Sequence, residues 1–129
     1  MSSRLPHLAE TSLNVENLER SRQFYQRVFG LKVLLEEDRL VGLELPGSAV
    51  LMLAAGYDPK NPPRAGEVAT HLSFSVAPHV LLEWERHLMM NGVVIEARIM
   101  QAHGGISLYF RDPDEHSLEV ATSALSPVS

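Results

Sequence analysis

The chain has 129 residues and no cysteine, which excludes disulfides, thiolate metal sites and cysteine nucleophiles. A formal net charge of -5 argues against nucleic acid or an anionic membrane as partner. Hydrophobic content of 45% and charged content of 21% suit one soluble globular domain, with no apolar run near the ~20 residues that span a bilayer and an opening (Met1 to Pro6) without the apolar core of a signal peptide, so the expected location is cytoplasmic.

Leu8 to Val15 reads as a strand with Leu13 and Val15 on one face and Glu10, Ser12 and Asn14 on the other. Asn17 is placed to cap a helix in which Leu18, Ser21, Phe24, Tyr25 and Val28 fall at helical spacing, and Gly30 is a fitting stop. Three strand-like runs follow: Leu31 to Glu36, Leu40 to Leu45 and Ala49 to Ala54, the last two joined by a Pro46-Gly47-Ser48 turn. Tyr57 to Thr70 holds three prolines and one glycine and reads as a linker. Thr70 to Val76 is the fifth strand. Pro78 to Asn91 is a second helix carrying Leu81, Leu82, Trp84, Leu88 and Met89, ended at Gly92. Phe24, Tyr25 and Trp84 are expected in the core. Val93 to Met100 is a strand and Gln101 to Gly105 a loop. Ile106 to Arg111 and Ser117 to Thr122 form a hairpin across Asp112 to Glu115.

The order is β-α-β-β-β twice, an internal repeat. Val15 stands 15 positions before Gly30, and Val76 stands 16 before Gly92. Matching the two units aligns Glu10 with His71 and Met52 with Glu119. Strand alternation turns Glu10, His71 and Glu119 away from the helix-covered faces. Two carboxylates and an imidazole suit a hard or borderline divalent ion such as Mn, Fe(II), Zn, Ni or Mg. Three protein ligands leave coordination positions for water or substrate. The competing reading of each inward carboxylate is an ion pair or a solvated cavity.

Glu10 to Gly30, His71 to Val76 and Leu108 to Glu119 resemble the two modules of the vicinal oxygen chelate superfamily, which includes glyoxalases, bleomycin resistance proteins and extradiol dioxygenases. The resemblance covers about Leu8 to Thr122. It implies an α+β fold in which two βαβββ modules, about 8–55 and about 70–122, form a glyoxalase-type half-barrel pair with a central cavity within a single domain spanning 1–129. It places the family's first-strand ligand on Glu10, its second-module His on His71 and its final-strand Glu on Glu119. The further Glu of lactoylglutathione lyase falls on Met52, a poor ligand for these ions, which counts against that activity. The first ligand is usually His or Gln in the family, so Glu10 makes this site harder and more negative.

The resemblance implies a metal-dependent enzyme acting on a small substrate through its vicinal oxygens, as lyase, isomerase or ring-cleaving oxygenase, with Fe, Mn, Zn or Ni as cofactor. Glu119 and Tyr109 are the candidate catalytic groups, Tyr109 standing where fosfomycin enzymes have a substrate-contacting Tyr. Ser12 and Ser73 are candidate substrate donors beside the ligands. His103, in a glycine-flanked loop, is a candidate acid or base, and Arg111, like Arg98, a candidate carboxylate partner. Each has an ordinary alternative: core aromatic, exposed histidine, surface ion pair. His7 faces the wrong way for a ligand, and His79, His87 and His116 read as structural or exposed. By resemblance the assembly is a homodimer, with modules exchanged between chains in some relatives. The alternative function is a non-catalytic protein of the bleomycin-resistance type that sequesters a small molecule or drug between modules.

Overall fold

The computed structural model describes residues 10–47, 49–56, 71–102 and 104–122. The chain divides into two compact units, Met1–Ala69 and Thr70–Ser129. Among the described residues, no helix is long and apolar enough to cross a membrane.

The first unit runs β1 (Glu10–Val15), α1 (Leu18–Phe29), β2 (Val33–Glu37), β3 (Leu40–Leu45) and β4 (Ala49–Ala55). Its sheet has the order β1-β4-β3-β2, with β1 parallel to β4 and the other neighbours antiparallel. The parallel β1–β4 pair needs a crossover connection, which α1 begins. Asn17 caps α1 by accepting the Arg20 N–H at 3.0 Å, leaving one fewer orphan donor at the helix start. Gly30 closes it in the left-handed conformation, φ 67, with its N–H on the Gln26 carbonyl. Ser21, Phe24, Tyr25 and Val28, three and four apart, are its buried side. Leu13, Leu43, Leu51 and Leu53 are fully buried on the alternate positions of the sheet. Each such side chain contributes about 1.5–3 kcal/mol by leaving water.

The second unit repeats the plan. It contains β5 (His71–Val76), a 3-10 turn at Pro78–Val80, α2 (Leu81–Met90), β6 (Ala97–Met100), β7 (Ile106–Arg111) and β8 (Ser117–Thr122), in the sheet order β5-β8-β7-β6. Again the first and last strands are parallel and the rest antiparallel. Leu108, Phe110, Leu118 and Val120 are fully buried. The β7–β8 turn is organised by Asp112. Its buried carboxylate accepts the backbone N–H groups of Asp114 and His116, both at 2.9 Å, and meets His116 Nδ1 at 2.7 Å. Glu115 in this turn has φ 69, an uncommon conformation for a residue with a Cβ.

The expected α+β class and the twofold β-α-β-β-β order are what the structure has. Several expected bounds differ. β2 begins at Val33 rather than Leu31, with its register shifted between Val33 and Leu35. β6 begins at Ala97 rather than Val93, because it pairs only with β7, from Ala97↔Tyr109 to Met100↔Ile106. The second helix opens as a 3-10 turn, with Pro78 supplying the first position and no N–H to satisfy. Leu81 and Leu88 are its buried residues, whereas Leu82 and Met89 are exposed and Trp84 is half-buried, so the apolar positions of this helix are not one core face. The expected linker Tyr57 to Thr70 lies outside the described residues, as do Ser48 of the first hairpin turn, the ends Leu8, Ala9 and Thr70 of two expected strands, and His7.

Candidate metal and substrate site

Alternation along each sheet separates a covered face from an open one. In the second unit, register places His71, Ser73 and Ser75 of β5, Ser117, Glu119 and Ala121 of β8, and Ser107, Tyr109 and Arg111 of β7 on the same face. This face is rich in hydroxyl groups around a single carboxylate. Ser73 and Tyr109 are the direct cross-strand partners of Glu119 on its two sides. His71 lies one diagonal step away, with Nε2 3.2 Å from Glu119 Oε1 and Nδ1 3.3 Å from Ser117 Oγ. The His71 and Tyr109 rings are tilted at a centroid distance of 6.4 Å.

The Glu119 side chain is only 13% exposed, against 45% for His71. Burial alone pushes the Glu119 carboxyl up. Hydrogen bonds from Ser107, Ser73, Tyr109 and His71 outweigh that and hold it below its ordinary value. The carboxylate is thus kept ionised and oriented by four groups, which is what a fixed ligand needs. Ser117 and Ser107 join the site without being among the candidates named from the sequence. Period-two alternation from Tyr109 and Glu119 carries the signal for both.

The first unit shows the same relation between strands. Ser12 pairs with Met52 as Ser73 pairs with Glu119, so Glu10 and His71 hold equivalent positions two residues upstream. Glu10 is exposed at the start of β1, an edge strand of its sheet. Ser12 is half-buried beside Met52, which is 9% exposed. Around them the open face of this unit holds an apolar patch, Val50, Met52 and Ala54 of β4 with Gly42 and Leu40 of β3 and Leu35 of β2 in register, bordered by Glu44 and Glu37.

The structure therefore brings His71, Glu119, Ser73 and Tyr109 together in one unit, and Glu10 with Ser12 in the other. Among the described residues no set of three or more His, Asp or Glu side chains is gathered around one point. His71 and Glu119 fit one half of a divalent site by chemistry: an imidazole nitrogen and a carboxylate oxygen directed at each other, the carboxylate ionised and fixed from behind. Arg111 shares the open face but is engaged, with Nε 3.1 Å from Glu96 Oε1 and Nη1 donating to the Glu115 carbonyl at 2.9 Å. Arg98 pairs with Glu85 at 3.7 Å. His116 is held by Asp112 in the turn, a structural position as expected. His103 lies outside the described residues.

Comparison with known proteins identifies the family. The chain is 31% identical over 116 residues to metallothiol transferase FosB of Staphylococcus haemolyticus, covering 87% of this chain and 80% of that one. It is similar in structure to lactoylglutathione lyase from Agrobacterium tumefaciens, with a TM-score of 0.78, 29% identity and coverage of 94% and 96%. It also shares its fold with the fosfomycin resistance protein FosX from Listeria monocytogenes, whose crystal structure holds Mn(II) and sulfate, at a TM-score of 0.71, 19% identity and coverage of 95% and 92%. The family model described as Glyoxalase/Bleomycin resistance protein/Dioxygenase superfamily matches residues 4–120. With nearly the whole chain matched and a βαβββ order in each of the two units, this protein belongs to that superfamily.

Proposed function

We propose that the chain is a metal-dependent enzyme that acts on a small substrate through its vicinal oxygens, with His71 and Glu119 as two ligands and Glu10 as the third. The observation that carries this reading is the His71–Glu119 pair, 3.2 Å apart and backed by Ser73, Ser107 and Tyr109. The equivalent register of Glu10 in the first unit supports it as the third donor. In this reading the assembly is a homodimer, and Glu10 reaches the site from the same chain or from an exchanged module of the partner.

A bound divalent ion supplies Lewis-acid stabilisation of negative charge developing on the chelated oxygens. The protein's own groups do the rest. Glu119 holds one coordination position with its carboxylate fixed. Tyr109, beside it, orients a substrate oxygen or passes its phenolic proton. Ser12 donates a hydrogen bond to the substrate's polar end, and Ser73, whose one proton goes to Glu119, accepts one there. The apolar patch on the open face of the first unit, Leu35, Leu40, Val50 and Met52, suits a substrate with an apolar portion. Met52 in place of a fourth ligand, together with the metallothiol transferase relative, favours thiol transfer over glyoxalase chemistry.

That same apolar patch supports the second reading, a non-catalytic module that sequesters an apolar ligand. The two are separated by assaying thiol consumption with fosfomycin and a low-molecular-weight thiol, with Mn(II), with Zn(II) and after chelation. Turnover that depends on the added ion supports the enzyme. Absence of turnover with every ion, coupled to tight binding of apolar compounds in chelator, supports sequestration.

A further inference from the structure

Ser107 is almost fully buried, 1% exposed, on the face of β7 that carries Tyr109, two residues before it. It accepts a hydrogen bond from Gln101 Nε2 at 3.0 Å. A serine hydroxyl has one proton, and an amide nitrogen can only donate. With Gln101 donating into its oxygen, Ser107 must direct its own proton elsewhere. Glu119, the partner of Tyr109 on β8, is the acceptor diagonally across the strand. The source of this order is the β6–β7 loop. Its backbone closes on itself, Gln101 N–H on the Gly105 carbonyl at 2.7 Å and Gly104 N–H on the Gln101 carbonyl at 2.9 Å, which fixes the backbone from which the Gln101 side chain extends.

We propose that Gln101 and Ser107 are positioning residues that act in series, Gln101 on Ser107 and Ser107 on Glu119, to present the Glu119 carboxylate to a bound divalent ion. This rests on the reading of Glu119 as a ligand. Gln101 touches neither ion nor substrate in this arrangement; it sets the direction of the Ser107 proton. Outer groups that orient a ligand carboxylate typically change metal affinity about 10–100-fold when removed.

The test is Mn(II) and Zn(II) affinity, measured calorimetrically on the full chain for wild type, Ser107→Ala, Ser107→Thr, Gln101→Leu and Glu119→Gln. Circular dichroism and melting of each variant check folding. The expected result is a Kd weakened about tenfold or more in Ser107→Ala, several-fold in Gln101→Leu, and restored towards wild type in Ser107→Thr, which keeps the hydroxyl. The double variant Ser107→Ala with Gln101→Leu should bind no more weakly than Ser107→Ala alone, because the two groups act through one hydrogen bond. Wild-type affinity in Ser107→Ala and Gln101→Leu, with affinity lost in Glu119→Gln, overturns the positioning role and leaves the ligand reading standing. Unchanged affinity in Glu119→Gln overturns the ligand reading, and the positioning role with it.

Discussion

Gly42 and Met52 face each other across β3 and β4, and a Cβ placed on Gly42 would lie 3.1 Å from the Met52 sulfur. The same Cβ would meet Val50 Cγ1 at 3.3 Å and Leu35 Cβ at 3.4 Å. Gly42 therefore leaves the space in which Met52 and its neighbours pack. Met52 and Val50 must both shift to admit a methyl group, so Gly42→Ala is expected to destabilise the protein by about 1 kcal/mol, read as a lower denaturant midpoint at unchanged slope.

Met52 also tests the ligand geometry from the other side. It is 9% exposed, so a carboxylate there is costly unless something charged meets it. Met52→Glu should melt at a lower temperature than wild type in chelator. On adding Zn(II) or Ni(II) its melting temperature should rise more than that of wild type, because binding to the folded state alone stabilises it. An equal rise in both proteins would show that position 52 does not face the ion.

Asp112 and His116 predict a pH dependence that is separate from the candidate site. The hydrogen bond from His116 to Asp112 raises the His116 pKa above its ordinary value, against the opposing effect of burial and with help from the Asp112 and Asp114 charges. A raised folded pKa means that protonated His116 stabilises the fold. That contribution is complete below the unfolded pKa and fades as pH rises through the folded one. The stability difference between wild type and His116→Gln should therefore be larger at pH 5.5 than at pH 9. Asp112→Ala, which strands two backbone N–H groups as well as the imidazole, should cost about 2–3 kcal/mol.

Glu115 offers the opposite sign. It is exposed, and its φ of 69 is one that glycine adopts without a Cβ clash. Its backbone N–H on the Asp112 carbonyl and its carbonyl on Arg111 survive substitution. Glu115→Gly should raise stability by up to about 1 kcal/mol, visible as a higher thermal midpoint.

Much of this arrangement is legible in the chain before folding. The repeat spacing aligns Glu10 with His71 and Met52 with Glu119, and the strand registers Ser12↔Met52 and Ser73↔Glu119 give that alignment a physical form. Alternation puts His71 and Glu119 on one face because a strand repeats every two residues. Asn17, Gly30 and the Asp112 to Glu115 turn carry local chemistry that acts wherever it occurs. Other features depend on partners distant in sequence. Ser107 is an unremarked serine until β7 pairs with β8 and sets it diagonal to Glu119. The start of β6 at Ala97 follows from where its pairing with β7 begins, at Ala97↔Tyr109, not from the apolar Val93 and Val94. Leu82 and Met89 look like core in a helix pattern, yet the burial of this helix follows Leu81 and Leu88. Arg111 has the charge for a substrate carboxylate, but Glu96 sits within reach only in the folded sheet.

The most direct measurement is the metal content of purified protein by elemental analysis, after reconstitution with Mn(II), Zn(II) or Fe(II), for wild type, His71→Ala, Glu119→Gln and Glu10→Gln. A three-ligand site predicts close to one ion per chain in wild type and strong loss in each of the three variants, with folding intact. No stoichiometric ion in wild type, or an ion retained in both His71→Ala and Glu119→Gln, would contradict it.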